Sequence, residues 1–537
     1  MPTAKAFRIL RQVASLLLAL FILNFALTFH NVWPTLAITT RFELSVEIAA
    51  LVLVLAIFTY FKRPASNGVL ITLALLLTVM TLARYMEVTA PALFGRGINL
   101  YWDAQYIPHV AQMLAEAASP LQLTGLLVGA LILLIMIFFA LLYALRFVCA
   151  RLNNNTERHY LTGIMAVLTI AYFMGHVNQP IHTLKYFSLP LTKTYWSQVQ
   201  FINSVMANEA TDVLPAGDPL GDFNLARLDQ NDVFIEFIES YGATAFDNSS
   251  FANDIRPALD NFASISEQTG RRIVSAFIQS PTFGGNSWLS HASFMTGLNI
   301  NHLATYNLLM TQSRPTLTDK FRASGYRSVA LMPGLRADWP EGAFYGFDDI
   351  YGEQEIDYQG PDFGWWRIPD QFSLHRLHQL EVTPVSRQPL FLFFTAITPH
   401  MPFRPTPPYQ PDWNKLESAQ PFEQQALLQS LSLLPEWTNL GPSYTGTLKY
   451  TFDYISGYLA NTPEADFTWV ILGDHQPAAS VSGIEARWDV PVHIVSRNDE
   501  IIDSLIALGF TEGIQPQAQP ISNMHEIPSL LLGVFSR

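Results

Sequence analysis

The sequence predicts an α-helical membrane bundle of five spans followed by an α/β domain with a mainly parallel sheet. Only 14% of the 537 residues are charged, against about 25% in ordinary soluble domains. Residues 1–176 carry 11 Lys and Arg against 6 Asp and Glu, a net +5, which leaves 20 against 38, a net −18, for residues 177–537. Beyond residue 230, short apolar runs alternate with helical patterns, which is typical of a sheet covered on both faces. This composition excludes a disordered chain and a nucleic-acid coat protein.

Five apolar stretches approach the length of about 20 residues that crosses a hydrocarbon core of about 30 Å. The first is too long for a removable signal peptide and lacks a small-residue cleavage site, so we expect it to stay as an anchor. No stretch contains a central carboxylate or lysine, which disfavours a transporter. The five predicted spans are residues 9–29, 45–61, 69–86, 122–145 and 160–176.

The distribution of cations among the loops predicts the orientation in the membrane. Cations cluster before the first span, between the second and third, and between the fourth and fifth, so these three regions are predicted to be cytoplasmic. Five crossings then place everything after residue 176 outside the cytoplasm. The cations in these regions are Lys5, Arg8, Arg11, Lys62, Arg63, Arg146, Arg151 and Arg158.

The chain divides into three predicted domains. Residues 1–176 form the membrane domain, residues 177–230 an amphipathic connector, and residues 231–537 an extracytoplasmic domain. In the connector, apolar residues between Trp196 and Val205 recur at helical spacing, which predicts a helix with one apolar face. Cys149 is the single cysteine, so no intrachain disulfide can form.

Chemically active side chains follow four of the apolar runs in the extracytoplasmic domain. Because ligands of parallel sheets gather at the carboxyl ends of the strands, these side chains are expected to converge on one edge. They are Glu239 after the run Val233–Ile238, Ser287 after Ile273–Ile278, His400 after Leu390–Ile397, and Asp474 with His475 after Phe467–Leu472.

The residue types in this set indicate a metal centre beside a nucleophile. Two carboxylates and one imidazole, from Glu239, Asp474 and His475, suit manganese, magnesium or zinc. Ser287 follows a Gly-Gly-Asn turn and opens a predicted helix, whose amino-terminal N–H groups favour a phosphate or sulfate anion. A serine hydroxyl becomes a nucleophile only beside a base or a cation. Ser290, one turn further along, is a rival nucleophile, and His291 is interpreted as structural.

In this order, the motifs ESYG at 239–242, GGNSWLSHASFMTG at 284–297, TPHMPF at 398–403 and LGDH at 472–475 resemble the alkaline phosphatase superfamily. The chain is most similar to its membrane-anchored, sulfatase-like group of lipoteichoic acid synthases and phosphoglycerol transferases. The resemblance extends over nearly the whole chain and implies an alkaline-phosphatase-like fold for the extracytoplasmic domain.

The resemblance also implies a role for each matching residue. One divalent cation would be held by Glu239, Ser287, Asp474 and His475. Manganese is the expected metal, and magnesium and zinc are the alternatives. Ser287 falls on the nucleophile of the family, which is usually threonine, and His400 on the histidine that contacts the phosphate or the leaving group. The family grips glycerol phosphate with a Trp-x-Arg pair, and here Arg336 and Trp339 occupy that region in the opposite order.

The function that the resemblance implies is a membrane-anchored phosphotransferase of the bacterial cytoplasmic membrane. A phosphoglycerol or phosphoethanolamine head group would pass from a phospholipid donor through phosphoserine to a glycan, lipid or glycolipid acceptor. A metal-dependent phosphodiesterase or phosphatase and a non-catalytic membrane sensor or scaffold are the alternatives. The segment 287–291 lacks the proline and arginine of true sulfatases, which disfavours sulfate-ester hydrolysis.

Overall fold

The computed structural model describes residues 2–33, 35–94, 97–105, 107–108, 110–111, 115, 119–178, 186–206, 214–336 and 339–536. The chain forms two compact units. A helical unit comprises Met1–Pro91 and Gly97–Thr211, and a sheet unit comprises Ala92–Arg96 and Asp212–Arg537.

Five of the described helices of the helical unit lie at the positions where hydropathy predicts the spans. A short two-stranded ribbon, β1 (His30–Asn31) with β2 (Ile38–Thr39), lies in the loop after the first helix. The helices are α1 (Pro2–Thr28), α2 (Val46–Tyr60), α3 (Asn67–Phe94), α4 (Leu100–Ala104), α5 (Pro120–Leu152), α6 (Asn155–Asn178) and α7 (Leu191–Met206).

Three helices among the described residues are long and apolar enough to cross a membrane, where the sequence predicted five spans. They contain the segments Leu10–Thr28, Asn67–Leu93 and Pro120–Leu152. At the second predicted span, α2 is apolar but only 15 residues long. At the fifth, α6 has 24 residues and begins with the polar sequence NTERH. Five helices are therefore present at the predicted positions, and the crossing of the membrane by α2 and α6 stays a prediction.

The connector predicted at 177–230 contains the amphipathic helix that its spacing indicates. Helix α7 exposes Trp196 (64%) and Val199 (43%), while Tyr195 on the same helix donates a hydrogen bond from its hydroxyl to the carbonyl of Ala83 (2.8 Å). One face of α7 thus packs within the helical unit, and the other exposes apolar side chains.

The sheet unit is built on one mixed sheet with the strand order β10-β4-β9-β8-β3-β7-β5-β6, and β11 pairs with β4. Pairing is parallel from β8 through β3, β7 and β5 to β6, and antiparallel where β9 and β4 extend it. The strands are β3 (Asp232–Ile238), β4 (Arg272–Gln279), β5 (Arg327–Leu331), β6 (Asp349–Tyr351), β7 (Leu390–Ala396), β8 (Phe467–Gly473), β9 (Asp489–Ser496), β10 (Thr511–Glu512) and β11 (Pro520–Asn523).

Helices cover both faces of this sheet, so β3 and β8 are buried along their whole length. The helices are α8 (Thr244–Asp247), α9 (Ser249–Gln268), α10 (Ser287–Thr296), α11 (Leu303–Met310), α12 (Leu317–Ala323), α13 (Gly342–Tyr345), α14 (Glu353–Ile356), α15 (Asp370–Leu377), α16 (Gln424–Ser432), α17 (Gly441–Asn461), α18 (Ala479–Ser482), α19 (Asp499–Ala507) and α20 (Ile527–Phe535).

Strand alternation in β3 assigns its side chains to two helical layers. Phe234 packs on Tyr458 of α17, with ring centroids 6.3 Å apart. Phe237 packs edge-on against Phe294 of α10, with centroids 5.4 Å apart. Glu239, two residues beyond Phe237, continues on the α10 side of the sheet.

Glu236 is a fully buried carboxyl group on the α17 side of β3. It accepts a hydrogen bond from the Tyr454 hydroxyl. Burial raises the pKa of Glu236 from 4.5 to about 8. The folded protein therefore holds this proton more tightly than the unfolded chain does, and stability falls as the pH rises from about 4.5 towards 8.

We expect the substitution Glu236→Gln to stabilise the protein at high pH. The neutral amide keeps an acceptor for Tyr454 but has no proton to lose, so its advantage over wild type grows to about 5 kcal/mol at pH 9 and falls below about 1 kcal/mol near pH 5. Unfolding temperatures measured by tryptophan fluorescence across this pH range check the expectation.

Glu381→Gln is the matched control, for which we expect the opposite change in stability. Glu381 accepts a hydrogen bond from Arg327 (2.8 Å). Burial by itself would raise the pKa of Glu381, but the Arg327 guanidinium holds this pKa below its ordinary value. Glu381→Gln removes the charge that pairs with Arg327, so this variant should be less stable than wild type at pH 7. Equal unfolding temperatures for Glu236→Gln and wild type at both pH 5 and pH 9 would contradict the expectation.

Candidate active site

Four side chains that are distant in the sequence meet at the carboxyl end of the parallel strands. Glu239 follows β3, and Asp474 and His475 follow β8, its parallel neighbour. Ser287 opens α10. One ligand atom from each of Glu239, Asp474 and His475 lies within 4.8 Å of the others, and all three residues are buried. We call these four residues the serine–carboxylate cluster.

Backbone N–H groups fix the carboxylate of Asp474. Its Oδ1 accepts hydrogen bonds from the backbone N–H of Ser240 (2.8 Å) and of His475 (2.7 Å). Ser240 adopts a left-handed backbone, with φ of 58°, which turns its N–H towards the end of β8. The other oxygen, Oδ2, lies 3.7 Å from Nε2 of His475.

The close packing of the strand ends requires glycine at two positions. A Cβ atom on Gly473 would lie 1.8 Å from the carbonyl oxygen of Tyr241, and one on Gly242 would lie 2.7 Å from Cα of Gln476. The glycines of the ESYG and LGDH motifs thus allow the β3 and β8 ends to touch, which brings Glu239 beside Asp474.

The imidazole of His475 is oriented with Nε2 towards the carboxylates. Because a carbonyl oxygen only accepts, Nδ1 carries the hydrogen in its 2.7 Å contact with the backbone oxygen of Gln476. Nε2 then lies 3.3 Å from Oε1 of Glu239. Metal-binding histidines commonly have this arrangement, in which one ring nitrogen is hydrogen-bonded and the other faces the metal.

Ser287 reaches the cluster through a tight turn that is anchored to the same strand end. The N–H of Gly284 donates to the backbone oxygen of Gln476 (3.0 Å). Gly284, Gly285 and Asn286 all have positive φ, so the chain reverses and α10 begins at Ser287. The Ser287 hydroxyl donates to Oε2 of Glu239 (2.9 Å) and lies 3.2 Å from Nε2 of His475.

Ser290, the rival nucleophile, is held elsewhere. It is fully buried, and its Oγ lies 2.8 Å from Oγ1 of Thr282 and 3.2 Å from Oγ of Ser280. These hydroxyl contacts belong to the packing of α10 on the segment after β4. Of the two serines, Ser287 contacts the carboxylate and the imidazole.

The charges of the cluster are strongly coupled. Burial, and after it the Glu239 carboxylate, raises the pKa of Asp474 to about 8. Burial disfavours the charged form of His475, but Asp474 and Glu239 raise the pKa of its imidazole to about 9. Burial would likewise raise the pKa of Glu239, but positive charge on His475 and then His400 holds it below its ordinary value. The cluster thus favours a positive charge between its two carboxylates.

The donor set fits a divalent cation. Carboxylate oxygens and one imidazole nitrogen are ligands for manganese and zinc, and the carboxylates also suit magnesium. The ligand atoms converge, and the second nitrogen of His475 is already hydrogen-bonded. A cation bound here would replace the imidazolium proton as the positive charge that the cluster favours.

His400 lies near the cluster and lines a small cavity. Its Nδ1 donates to the backbone oxygen of Met401 (2.7 Å), and its ring packs edge-on against Trp366, with centroids 4.6 Å apart. The cavity has a volume of about 30 Å³ and is also lined by Phe363 and Arg404.

A buried carboxyl group anchors the turn that carries His400. Asp370 is completely buried, and it accepts hydrogen bonds from the backbone N–H of Ile397 (2.9 Å) and of Thr398 (2.8 Å). Sequence reasoning missed both Asp370 and Gln476, because their roles depend on tertiary contacts with distant backbone groups.

Arg336 and Trp339 make contacts outside the serine–carboxylate cluster. Arg336 forms an ion pair with Glu353 (3.1 Å). Trp339 stacks on Tyr345, with ring centroids 5.3 Å apart. The roles of Arg336 and Trp339 in substrate binding stay predictions.

His291 lies one turn after Ser287 on α10, and its interpretation as structural stays a prediction. Its ring packs on Phe237, with centroids 4.6 Å apart. Burial, opposed by Glu239, lowers the pKa of His291 to about 3. Within the described residues its Nε2 has no hydrogen-bond partner.

Comparisons with known proteins give similarities in structure only. No model of a protein family matches the chain, and no curated protein matches it in sequence. The lipoteichoic acid synthase LtaP of Listeria monocytogenes aligns with 14% identity and a TM-score of 0.34, over 51% of this chain and 66% of its own length.

Two further solved structures show the same level of similarity. The phosphoglycerol transferase GacH of Streptococcus pyogenes, in complex with sn-glycerol-1-phosphate, aligns with 14% identity and a TM-score of 0.36, over 57% of this chain and 79% of GacH. The lipooligosaccharide phosphoethanolamine transferase A of Neisseria meningitidis, an integral membrane protein, aligns with 12% identity and a TM-score of 0.39, over 85% of this chain and 89% of its own.

Proposed function

We propose that this chain is a membrane-anchored, metal-dependent phosphotransferase of the sulfatase-like kind that moves a phospholipid head group to an extracytoplasmic acceptor. The observation that carries the proposal is the 2.9 Å contact between the Ser287 hydroxyl and Glu239, inside a cluster with two further ligand-type residues. A candidate nucleophile, three ligand-type residues and a helix amino terminus that favours an anion thus lie together, which supports the proposal.

A divalent cation held by Glu239, Asp474 and His475, manganese in the first instance, would lower the pKa of the Ser287 hydroxyl and balance charge on the phosphoryl oxygens. The residues of the chain then carry the two displacements. Ser287 Oγ releases its proton to water and bonds to phosphorus, while the bond from phosphorus to the diacylglycerol oxygen breaks. His400 supplies the proton that the leaving oxygen needs.

The second displacement restores the enzyme. An acceptor hydroxyl passes its proton to His400 and bonds to phosphorus. The bond from phosphorus to Ser287 Oγ breaks, and Ser287 Oγ takes up a proton from water. The Nδ1 hydrogen bond of His400 to Met401 leaves Nε2 as the nitrogen that exchanges the proton. We place Arg336 and Trp339 at the head group as further binding residues.

The proposed location is the bacterial cytoplasmic membrane with the sheet unit outside the cytoplasm. Cations at the amino terminus support a cytoplasmic start. Both three and five crossings are odd numbers, so either number carries the sheet unit to the opposite side. A phospholipid donor and a glycan, lipid or glycolipid acceptor are then available on that side.

Product analysis tests the proposal directly. Purified full-length protein in detergent micelles would be given fluorescent phosphatidylglycerol or phosphatidylethanolamine with Mn²⁺, and diacylglycerol should appear. The head group that yields diacylglycerol faster is the natural donor. Turnover of small phosphodiesters without turnover of any phospholipid would instead indicate a hydrolase, and failure to bind both Mn²⁺ and phosphate would indicate a sensor or scaffold.

A further inference from the structure

A groove within the helical unit has the shape and lining of a lipid site. It has a volume of about 480 Å³, within the range of about 300–1,000 Å³ that is usual for ligand sites. Its apolar wall includes Leu17 and Leu20 of α1, Ile48 of α2 and Met165 of α6, and its polar end includes Asn24 and Arg41. We call it the α1–α2–α6 groove.

Most polar groups at the polar end are already paired. Asn24 donates from Nδ2 to the backbone oxygen of Glu43 (2.8 Å) and accepts at Oδ1 from the N–H of Ser45 (2.8 Å). The Oε2 atom of Glu43 lies 3.0 Å from Nε2 of His30. These bonds fix the loop between α1 and α2 as a rigid rim.

Arg41 is the weakly paired cation on this rim. Its Nη1 lies 4.0 Å from Oε1 of Glu43, and its side chain is 60% exposed. A guanidinium at that separation is too far away for a hydrogen bond, whereas a phosphate could accept two N–H groups at once. The neighbouring Phe42 is completely exposed, as is common for aromatic side chains at the membrane–water interface.

The apolar wall of the groove and Arg41 are arranged like the acyl chain and the phosphate of a phospholipid. Leu17 and Asn24 are seven positions apart on α1, about 10 Å along the helix axis. The apolar section of the groove therefore lies about 10 Å along α1 from the rim that carries Arg41. We propose that the helical unit binds one glycerophospholipid, with an acyl chain in the α1–α2–α6 groove and its phosphate against Arg41. This binding goes beyond the proposed transfer reaction and does not depend on turnover.

Photocrosslinking of the full-length protein tests this site. The protein would be placed in phosphatidylcholine nanodiscs containing a small fraction of phosphatidylglycerol with a diazirine in one acyl chain, and crosslinked peptides would be identified by mass spectrometry. We expect crosslinks concentrated in residues 17–24, 44–49 and 165–168. Crosslinks spread over the exposed face of α5 in proportion to its exposure would overturn the proposal.

Two variants and two matched controls separate specific binding from contact with bulk lipid. Arg41→Gln should lower crosslinking in the groove about fivefold, the effect of one cation near an anionic lipid, while Arg63→Gln, which removes an exposed cation outside the groove, should not. Leu20→Trp should block the apolar section, and Leu76→Trp on the exposed face of α3 should leave crosslinking unchanged. Unaltered crosslinking in both Arg41→Gln and Leu20→Trp would overturn the proposal.

Competition identifies the class of lipid. Unlabelled dioleoyl phosphatidylglycerol should displace the probe from the groove at lower concentration than undecaprenyl phosphate does. The reverse order would overturn the assignment to a glycerophospholipid, because the groove would then prefer a polyprenyl chain. Unfolding temperatures within a few degrees of wild type would show that each variant is folded.

Discussion

Replacing Ser287 with alanine is expected to abolish diacylglycerol release, with a loss of at least about 10⁴-fold in turnover. Alanine removes the oxygen that contacts both Glu239 and His475, so no bond to phosphorus can form. Intact-protein mass spectrometry should show a phosphoryl adduct on the wild-type protein incubated with the donor lipid and none on the variant. Ser287→Thr should retain partial activity because it keeps the hydroxyl.

Ser290→Ala is the matched control on the same helix. Its hydroxyl bonds to Thr282 and Ser280 rather than to the cluster, so turnover should stay within a few-fold of wild type while the unfolding temperature falls modestly. A phosphoryl adduct that persists in Ser287→Ala and disappears in Ser290→Ala would show that Ser290 is the nucleophile.

Replacing Asp474 with asparagine is expected to weaken Mn²⁺ binding by at least about 100-fold. The amide keeps an oxygen that can accept from Ser240 and His475, but it removes one of the two negative charges that favour a cation. Isothermal titration of the purified protein with Mn²⁺ alone measures the affinity, and activity at saturating Mn²⁺ should fall with it.

Glu236→Gln provides the control for removal of a buried carboxyl group near the same strands. Glu236 lies on the α17 side of β3 and bonds to Tyr454, away from the cluster, so its substitution should leave Mn²⁺ affinity unchanged. If Asp474→Asn and Glu236→Gln bound Mn²⁺ as tightly as wild type, the carboxylate of Asp474 would not be a ligand.

The positions of the cluster residues could be predicted from sequence because each follows a strand that reads clearly. The apolar runs before Glu239 and Asp474 are both strands in the structure, and parallel pairing brings their ends together. The hydrophobic pattern and the expected parallel pairing were therefore sufficient to predict that these strand ends meet. The choice of Ser287 over Ser290 as nucleophile stays a prediction, because two residues three positions apart on a helix lie on nearly the same face and the sequence pattern does not separate them.

Features that depend on distant contacts could not be predicted. The carboxylate of Asp370 accepts from backbone N–H groups 27 and 28 positions away, and the backbone oxygen of Gln476 accepts from the N–H of the distant Gly284. The ion pair of Arg336 with Glu353 likewise depends on how two loops meet. The number of membrane spans could not be predicted for another reason. Hydropathy detects α2 as apolar, but its 15 residues fall short of the length that a straight crossing needs.

The backbone oxygen of Gln476 receives both the Nδ1 hydrogen of His475 and the N–H of Gly284. One peptide plane therefore sets the tilt of the imidazole and the path of the chain into Ser287. A rotation of that plane would misalign the ligand and the nucleophile together, so this site is expected to be either wholly assembled or wholly inactive, with few half-working states between.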